Sequence, residues 1–133
     1  MNIKKSLRIK KGSVLKFTHA SHEDEKNPSA VKKVLLSFND LTKRSKIVMI
    51  NWAVLYKDRS FTAHYHEDMD EVFIIISGEA EIVVNKEKAN LTKGDLVFIP
   101  MKCIHQMTCE GNKDLEYIAI GFSLFKGGKT VNV

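Results

Sequence analysis

His64 and His66 stand one residue apart. Side chains on a strand alternate with period two, so two imidazoles at this spacing face the same way and can share one ligand. The four-residue stretch Glu67 to Asp70 is short and acidic enough to turn the chain, after which Glu71 opens the apolar run Val72 to Ile76. A returning strand would bring the Glu71 carboxylate back to the histidine pair, against an interior where an unpaired charge is costly. His105 offers a third imidazole after the turn Pro100 to Ile104. Three imidazoles and one carboxylate suit one divalent transition metal (Fe, Mn, Ni, Co, Cu or Zn), whereas calcium and magnesium prefer oxygen donors. The expected metal ligands are therefore His64, His66, Glu71 and His105.

Strand alternation extends outward from these four. Thr62 shares parity with His64, Phe73 and Ile75 with Glu71, and Met107 and Cys109 with His105. This expected pocket is mainly apolar and holds no obvious acid or base, which leaves Tyr56 and Tyr65 as hydroxyl donors. Anion anchors are scarce: the arginines are Arg8, Arg44 and Arg59, and Arg59 falls in a turn at the end of its strand away from the donors. Lys102 is better placed but reads as a surface lysine. Cys103 and Cys109 read as small hydrophobes, since a buried free thiol usually is one. Trp52 is expected in the core or an interface.

The elements that must position these groups are strands. β-branched and aromatic residues recur in short runs between Gly, Asn, Asp and Lys-rich turns. The pattern predicts strands near residues 13–17, 31–37, 46–56, 61–66, 71–77, 79–85, 88–92, 95–99, 105–109 and 115–125, the spacing of an all-β sandwich or barrel. Residues 19–29 are polar and closed by Asn27-Pro28, so they read as an exposed, mobile loop in which His19 and His22 are solvated. The tail 126–133 reads as a frayed terminus.

Other motifs fail on their own terms. Gly128-Lys129-Thr130 ends like a phosphate-binding loop, but Ser123 stands where its first glycine belongs. A zinc-protease helix starting at His66 would need histidine where Asp70 stands, and Asp68 and Asp70 lack the rest of a calcium loop. A chain of 133 residues fits one domain. It contains no apolar run of membrane-spanning length and no secretory h-region, so a cytoplasmic location is expected. The net charge of +5 comes from Lys4, Lys5, Arg8, Lys10 and Lys11. This basic arm at residues 1–11 lacks stacking aromatics and any nucleic-acid reading motif, so nucleic acid is not expected as a partner.

The segment from His64 to Gly78, H-x-H-x4-E-x6-G, and that from Gly94 to His105, G-x5-P-x4-H, resemble the paired motifs of the cupin superfamily, separated by 15 residues. Asp58 and Lys102 stand where the family has glycine, and Cys109 where it has asparagine; none of these changes removes a ligand. The resemblance implies a double-stranded β-helix, a jelly-roll barrel over residues 47–125 with residues 1–46 packing on it. It also implies that the four donors bind metal and that the protein is a homodimer. Four protein ligands leave positions open on the ion for a small molecule. An apolar pocket favours a metal-dependent enzyme of oxygenase type. A non-redox isomerase, epimerase or decarboxylase is the first alternative, and a non-catalytic ligand-binding or sensing module the second.

Overall fold

The alternation in the sequence is satisfied by two antiparallel sheets facing one another. The computed structural model describes residues 11–37, 39, 46–123 and 129–133; the basic arm lies outside them except for Lys11. The strands are β1 Thr18–His19, β2 Ala30–Ser37, β3 Ile47–Leu55, β4 His64–His66, β5 Asp70–Ser77, β6 Glu79–Val84, β7 Glu87–Leu91, β8 Leu96–Ile99, β9 His105–Glu110, β10 Leu115–Phe122 and β11 Thr130–Asn132. One sheet runs β1-β2-β3-β10-β5-β8 and the other β11-β4-β9-β6-β7. No helix among the described residues is long and apolar enough to cross a membrane.

Each sheet turns one set of alternate side chains inward. On β10 these are Leu115, Tyr117 and Ala119; on β5, Glu71, Phe73 and Ile75. The register sets Tyr117 against Ile75 and Ala119 against Phe73. The opposing sheet contributes Ala80, Ile82, Met107 and Cys109, and Phe61 and Leu55 are fully buried with them. Burying each large apolar side chain contributes about 1.5–3 kcal/mol. The interior is graded: from Ile75 to Glu71 along β5, and from Cys109 to His105 along β9, apolar residues give way to polar ones.

Backbone conformation explains the two exchanged glycines near the motifs. Asp58 and Lys102 adopt φ of 63° and 67°, the left-handed region that glycine enters without steric cost. Gly78, between β5 and β6, has φ of 94°, and a Cβ there would lie 2.8 Å from the Asp114 carbonyl oxygen.

Three expected elements differ in the structure. Residues 13–17 form turns and irregular chain rather than a strand, and pairing begins only at Thr18↔Lys32. The strand expected over 61–66 shrinks to β4, because Phe61 N donates to Met107 O while Thr62 N is taken by the Glu23 carboxylate. Period two therefore breaks before His64. At the C-terminus, β11 pairs with β4 through Thr130↔His66 and Asn132↔His64, so residues 130–132 are a sheet edge rather than a frayed end.

Candidate metal centre

His64 and His105 are direct cross-strand partners on β4 and β9, and His66 lies on the same face two residues on. Glu71 projects toward them from β5 in the facing sheet, its Oε1 3.2 Å from His66 Nε2 and 3.4 Å from His105 Nε2. All four residues are buried, and one donor atom from each lies within 4.8 Å of the others. Donors each about 2.1 Å from one ion would stand roughly 3–4.2 Å apart, so a contraction of roughly half an ångström would close the set.

The other ring nitrogens are already occupied. His64 Nδ1 donates to Thr62 O at 2.6 Å, His105 Nδ1 donates to Cys103 O at 3.0 Å, and His66 Nδ1 meets Thr130 Oγ1 at 3.1 Å. Such contacts fix ring orientation and, where the backbone accepts, leave Nε2 as a lone-pair donor. His105 Nε2 is buried and has no hydrogen-bond partner, because its approach to Glu71 is close but not aligned. An unsatisfied buried polar atom costs about 1–3 kcal/mol, and a cation bound among the four donors would satisfy it. The residues therefore fit a divalent transition metal.

Electrostatics agree with a neutral His64 imidazole beside an ionised Glu71 carboxylate. Burial, followed by the neighbouring imidazoles of His22 and His105, holds His64 down at about 3 despite its bond to Thr62 O. Burial alone would raise the Glu71 carboxyl; the facing imidazoles of His105 and His66 outweigh it and hold the group at about 2.

His22 and Glu23 fold against this cluster, contrary to the expectation of a solvated His22, while residues 24–27 between them and Ser29 are exposed. His22 stacks on His64 with ring centroids 4.2 Å apart. Its Nδ1 donates to Glu23 Oε2 at 2.9 Å. Glu23 in turn accepts from Ser29 N and Thr62 N, tying the loop to its own far end and to the chain entering β4. Burial lowers the pKa of His22 against the opposing pull of Glu23. His19 is only half-buried and stays on β1, its Nδ1 bonded to Ala20 O.

A cavity of about 190 Å³ opens beside the donors, lined by His64, His66 and Glu71 and also by His22, Lys32, Asn51, Phe73 and Tyr117. Of the pocket residues expected from alternation, Phe73 alone lines it. Ile75, Met107 and Cys109 are buried deeper in the apolar core, and Cys109 Sγ donates to Lys113 O. Thr62 faces the Glu23 anchor, as the break in period two dictates. Tyr56 is 38% exposed and borders a separate outer groove with Phe17 and Val31. A larger depression of about 770 Å³ lies at Ile76 to Glu79 and Glu110 to Lys113, and none of the four donors lines it.

The polar lining was accessible only in part from sequence. Lys32 shares parity with buried Ala30, and Tyr117 with Leu115; both were cues to inward placement. Asn51 interrupts the apolar run of β3. His22 carries no local cue, because its burial depends on contacts with residues about forty positions away.

The cupin domain family profile matches residues 51–121, which contain all four donors. Among solved structures, a predicted oxalate decarboxylase from Thermotoga maritima is similar at 21% identity with a TM-score of 0.75, covering 87% of this chain and 99% of that one. The polyketide cyclase RemF from Streptomyces resistomycificus is similar at 15% identity with a TM-score of 0.75, over 96% and 85%. At such identities the likeness concerns the fold. An uncharacterized protein from Aquifex aeolicus is 29% identical over 66 residues, 50% of this chain and 54% of the relative. The match spans about half the length of the curated relatives.

Proposed function

This chain belongs to the cupin domain family, and from that premise we propose that it is a metal-dependent enzyme acting on one small molecule in the cavity beside His64, His66, Glu71 and His105. The observation that carries the reading is the convergence of four buried donors on one point, with His105 Nε2 left unpartnered. A divalent ion held there would supply Lewis acidity toward an oxygen of the bound molecule.

The chain's own residues bear on the type of reaction. The expectation of oxygen activation rested on an interior without acid or base groups. The cavity instead contains the Tyr117 hydroxyl, kept protonated by burial, the Lys32 ammonium, and His22 with Nδ1 tied to Glu23. Groups that hold or move protons next to a Lewis acid support isomerisation, epimerisation or decarboxylation over oxygen chemistry.

Turnover is the test. Metal-loaded protein is incubated with a panel of short organic acids in deuterated water. Deuterium entering a C–H position, or carbon dioxide release, without dioxygen uptake is the expected result. Dioxygen uptake coupled to ligand loss would restore the oxygenase reading, and saturable binding with every ligand recovered unchanged would make the chain a binding module.

The homodimer reading draws on the outer face of the six-stranded sheet. Cross-strand partners Phe98, Val72 and Ile120 form one outward row, and Leu96, Ile74 and Ile118 the next. Leu96 and Phe98 are 58% and 53% exposed. A self-complementary apolar patch of this kind suits a twofold pairing of two copies.

A further inference from the structure

We propose that Lys32, Asn51 and Tyr117 form a subsite for the carboxylate of a small organic acid, and that the N-terminal strand β2 thereby selects the ligand of the metal centre. The inference rests on the small-molecule reading of the same cavity and names the ligand's chemical class. Lys32 lies outside the segment matched by the family profile.

The register brings the three residues together. Lys32 on β2 is directly opposite Ala53 on β3, and Tyr117 on β10 is opposite Ala53 from the other side. Neighbouring strands are about 4.8 Å apart, so the Lys32 and Tyr117 backbones stand roughly 10 Å apart across an alanine. Asn51 occupies the next inward row, beside Ala119. Two small side chains thus floor a notch walled by an ammonium, a carboxamide and a phenol, all of which line the cavity.

Each of the three lacks a good partner among the described residues. Asn51 is buried, its Oδ1 has no hydrogen-bond partner, and its Nδ2 reaches only the weak acceptor Met49 Sδ at 3.4 Å. Whichever way the amide is turned, one end awaits a partner. Neither the Tyr117 hydroxyl nor the Lys32 ammonium has a hydrogen bond or ion pair among the described residues. Lys32 is half-buried, and burial lowers its pKa against the attraction of Glu71. By contrast Lys33, one residue on, points outward, where its ammonium bonds Gly12 O and covers the Phe17 ring.

These donors match a monoanion with two acceptor oxygens. A carboxylate can take the charge of Lys32, a hydrogen bond from the Tyr117 hydroxyl and, with the Asn51 amide turned so that Nδ2 replaces Oδ1 at the cavity, one from Asn51, while a 2-hydroxyl or 2-oxo group beside it extends toward the histidines. A phosphate group is a poorer match. The notch offers no arginine, and the Glu71 carboxylate in the same cavity would repel a dianion. The volume of about 190 Å³ equals roughly six waters at ~30 Å³ each, the size of a short acid.

Calorimetry on the full chain tests the assignment, using glycolate, lactate and pyruvate, their amides glycolamide, lactamide and pyruvamide, and inorganic phosphate. At least one acid is expected to bind about tenfold or more tightly than its amide, as loss of a charge-assisted hydrogen bond implies. Lys32→Gln should abolish that preference while keeping wild-type metal content, and Ala53→Val should weaken the acid by filling the notch with Lys32 intact. Acid and amide binding equally, phosphate binding more tightly than every acid, or Lys32→Gln binding the acid as wild type does would each overturn the proposal. Repeating the titration after chelation separates the two readings: acid binding that still depends on Lys32 sustains the subsite even if the metal assignment fails.

Discussion

His105 Nε2 is the atom that most calls for a cation: buried, 3.4 Å from the Glu71 carboxylate without alignment, and without a hydrogen bond among the described residues. Two other positions show how local backbone demands shape the same region. Lys102 holds φ of 67° while its N–H donates to His66 O at 2.7 Å and the turn leads to Cys103 O, the acceptor for His105 Nδ1. Lys102→Gly should relieve left-handed strain of about 1 kcal/mol, partly offset by greater freedom in the unfolded chain, so thermal unfolding is expected at an equal or higher temperature. Gly78→Ala should destabilise by about 2 kcal/mol or more in denaturant titration, since its Cβ meets backbone rather than a movable side chain. The four donors were legible in sequence because two-residue alternation and the motif spacings are local signals. His22 and the partnerless state of Asn51 were not, because long-range packing creates them.

Among the elements, the 20–29 segment departs most from its composition. Residues 24–27 are exposed, but Glu23 is an internal anchor that accepts from Ser29 N and Thr62 N while holding His22. Burial raises the Glu23 carboxyl, but these hydrogen bonds outweigh it and leave the pKa below the ordinary 4.5. A depressed carboxylate pKa means the anchor is fully present above about pH 4.5 and is lost as pH falls through the lower folded value. Hydrogen exchange at Ser29 and Thr62 N–H should therefore accelerate below that window before global unfolding. Glu23→Gln should remove the pH step and show weakened protection at neutral pH. An unchanged step in the variant would assign the acid response elsewhere. Strand boundaries were readable wherever alternation persists, as in β5 and β10, and failed at residues 61–63, where an anchor from another segment bends the chain.

At the scale of the molecule, two sheets divide the work. The inner faces build an apolar end from Leu55, Leu115 and Cys109 and a polar end from the four donors, with Phe61 packed on the His64 and His105 rings, while the outer face of the larger sheet carries Phe98, Val72 and Ile120 in one row. Sedimentation equilibrium should give a twofold mass that Phe98→Lys reduces to the monomer without loss of strand content. A wild-type monomer at micromolar concentration would contradict the pairing. A single metal ion on four residues can be counted by elemental analysis of protein loaded without oxygen and then desalted. About one divalent transition-metal ion per chain is expected for wild type, with most of it lost in His64→Ala and His105→Ala. Wild type that retains no metal, or both variants retaining full occupancy, would mean that these four residues do not form a metal site.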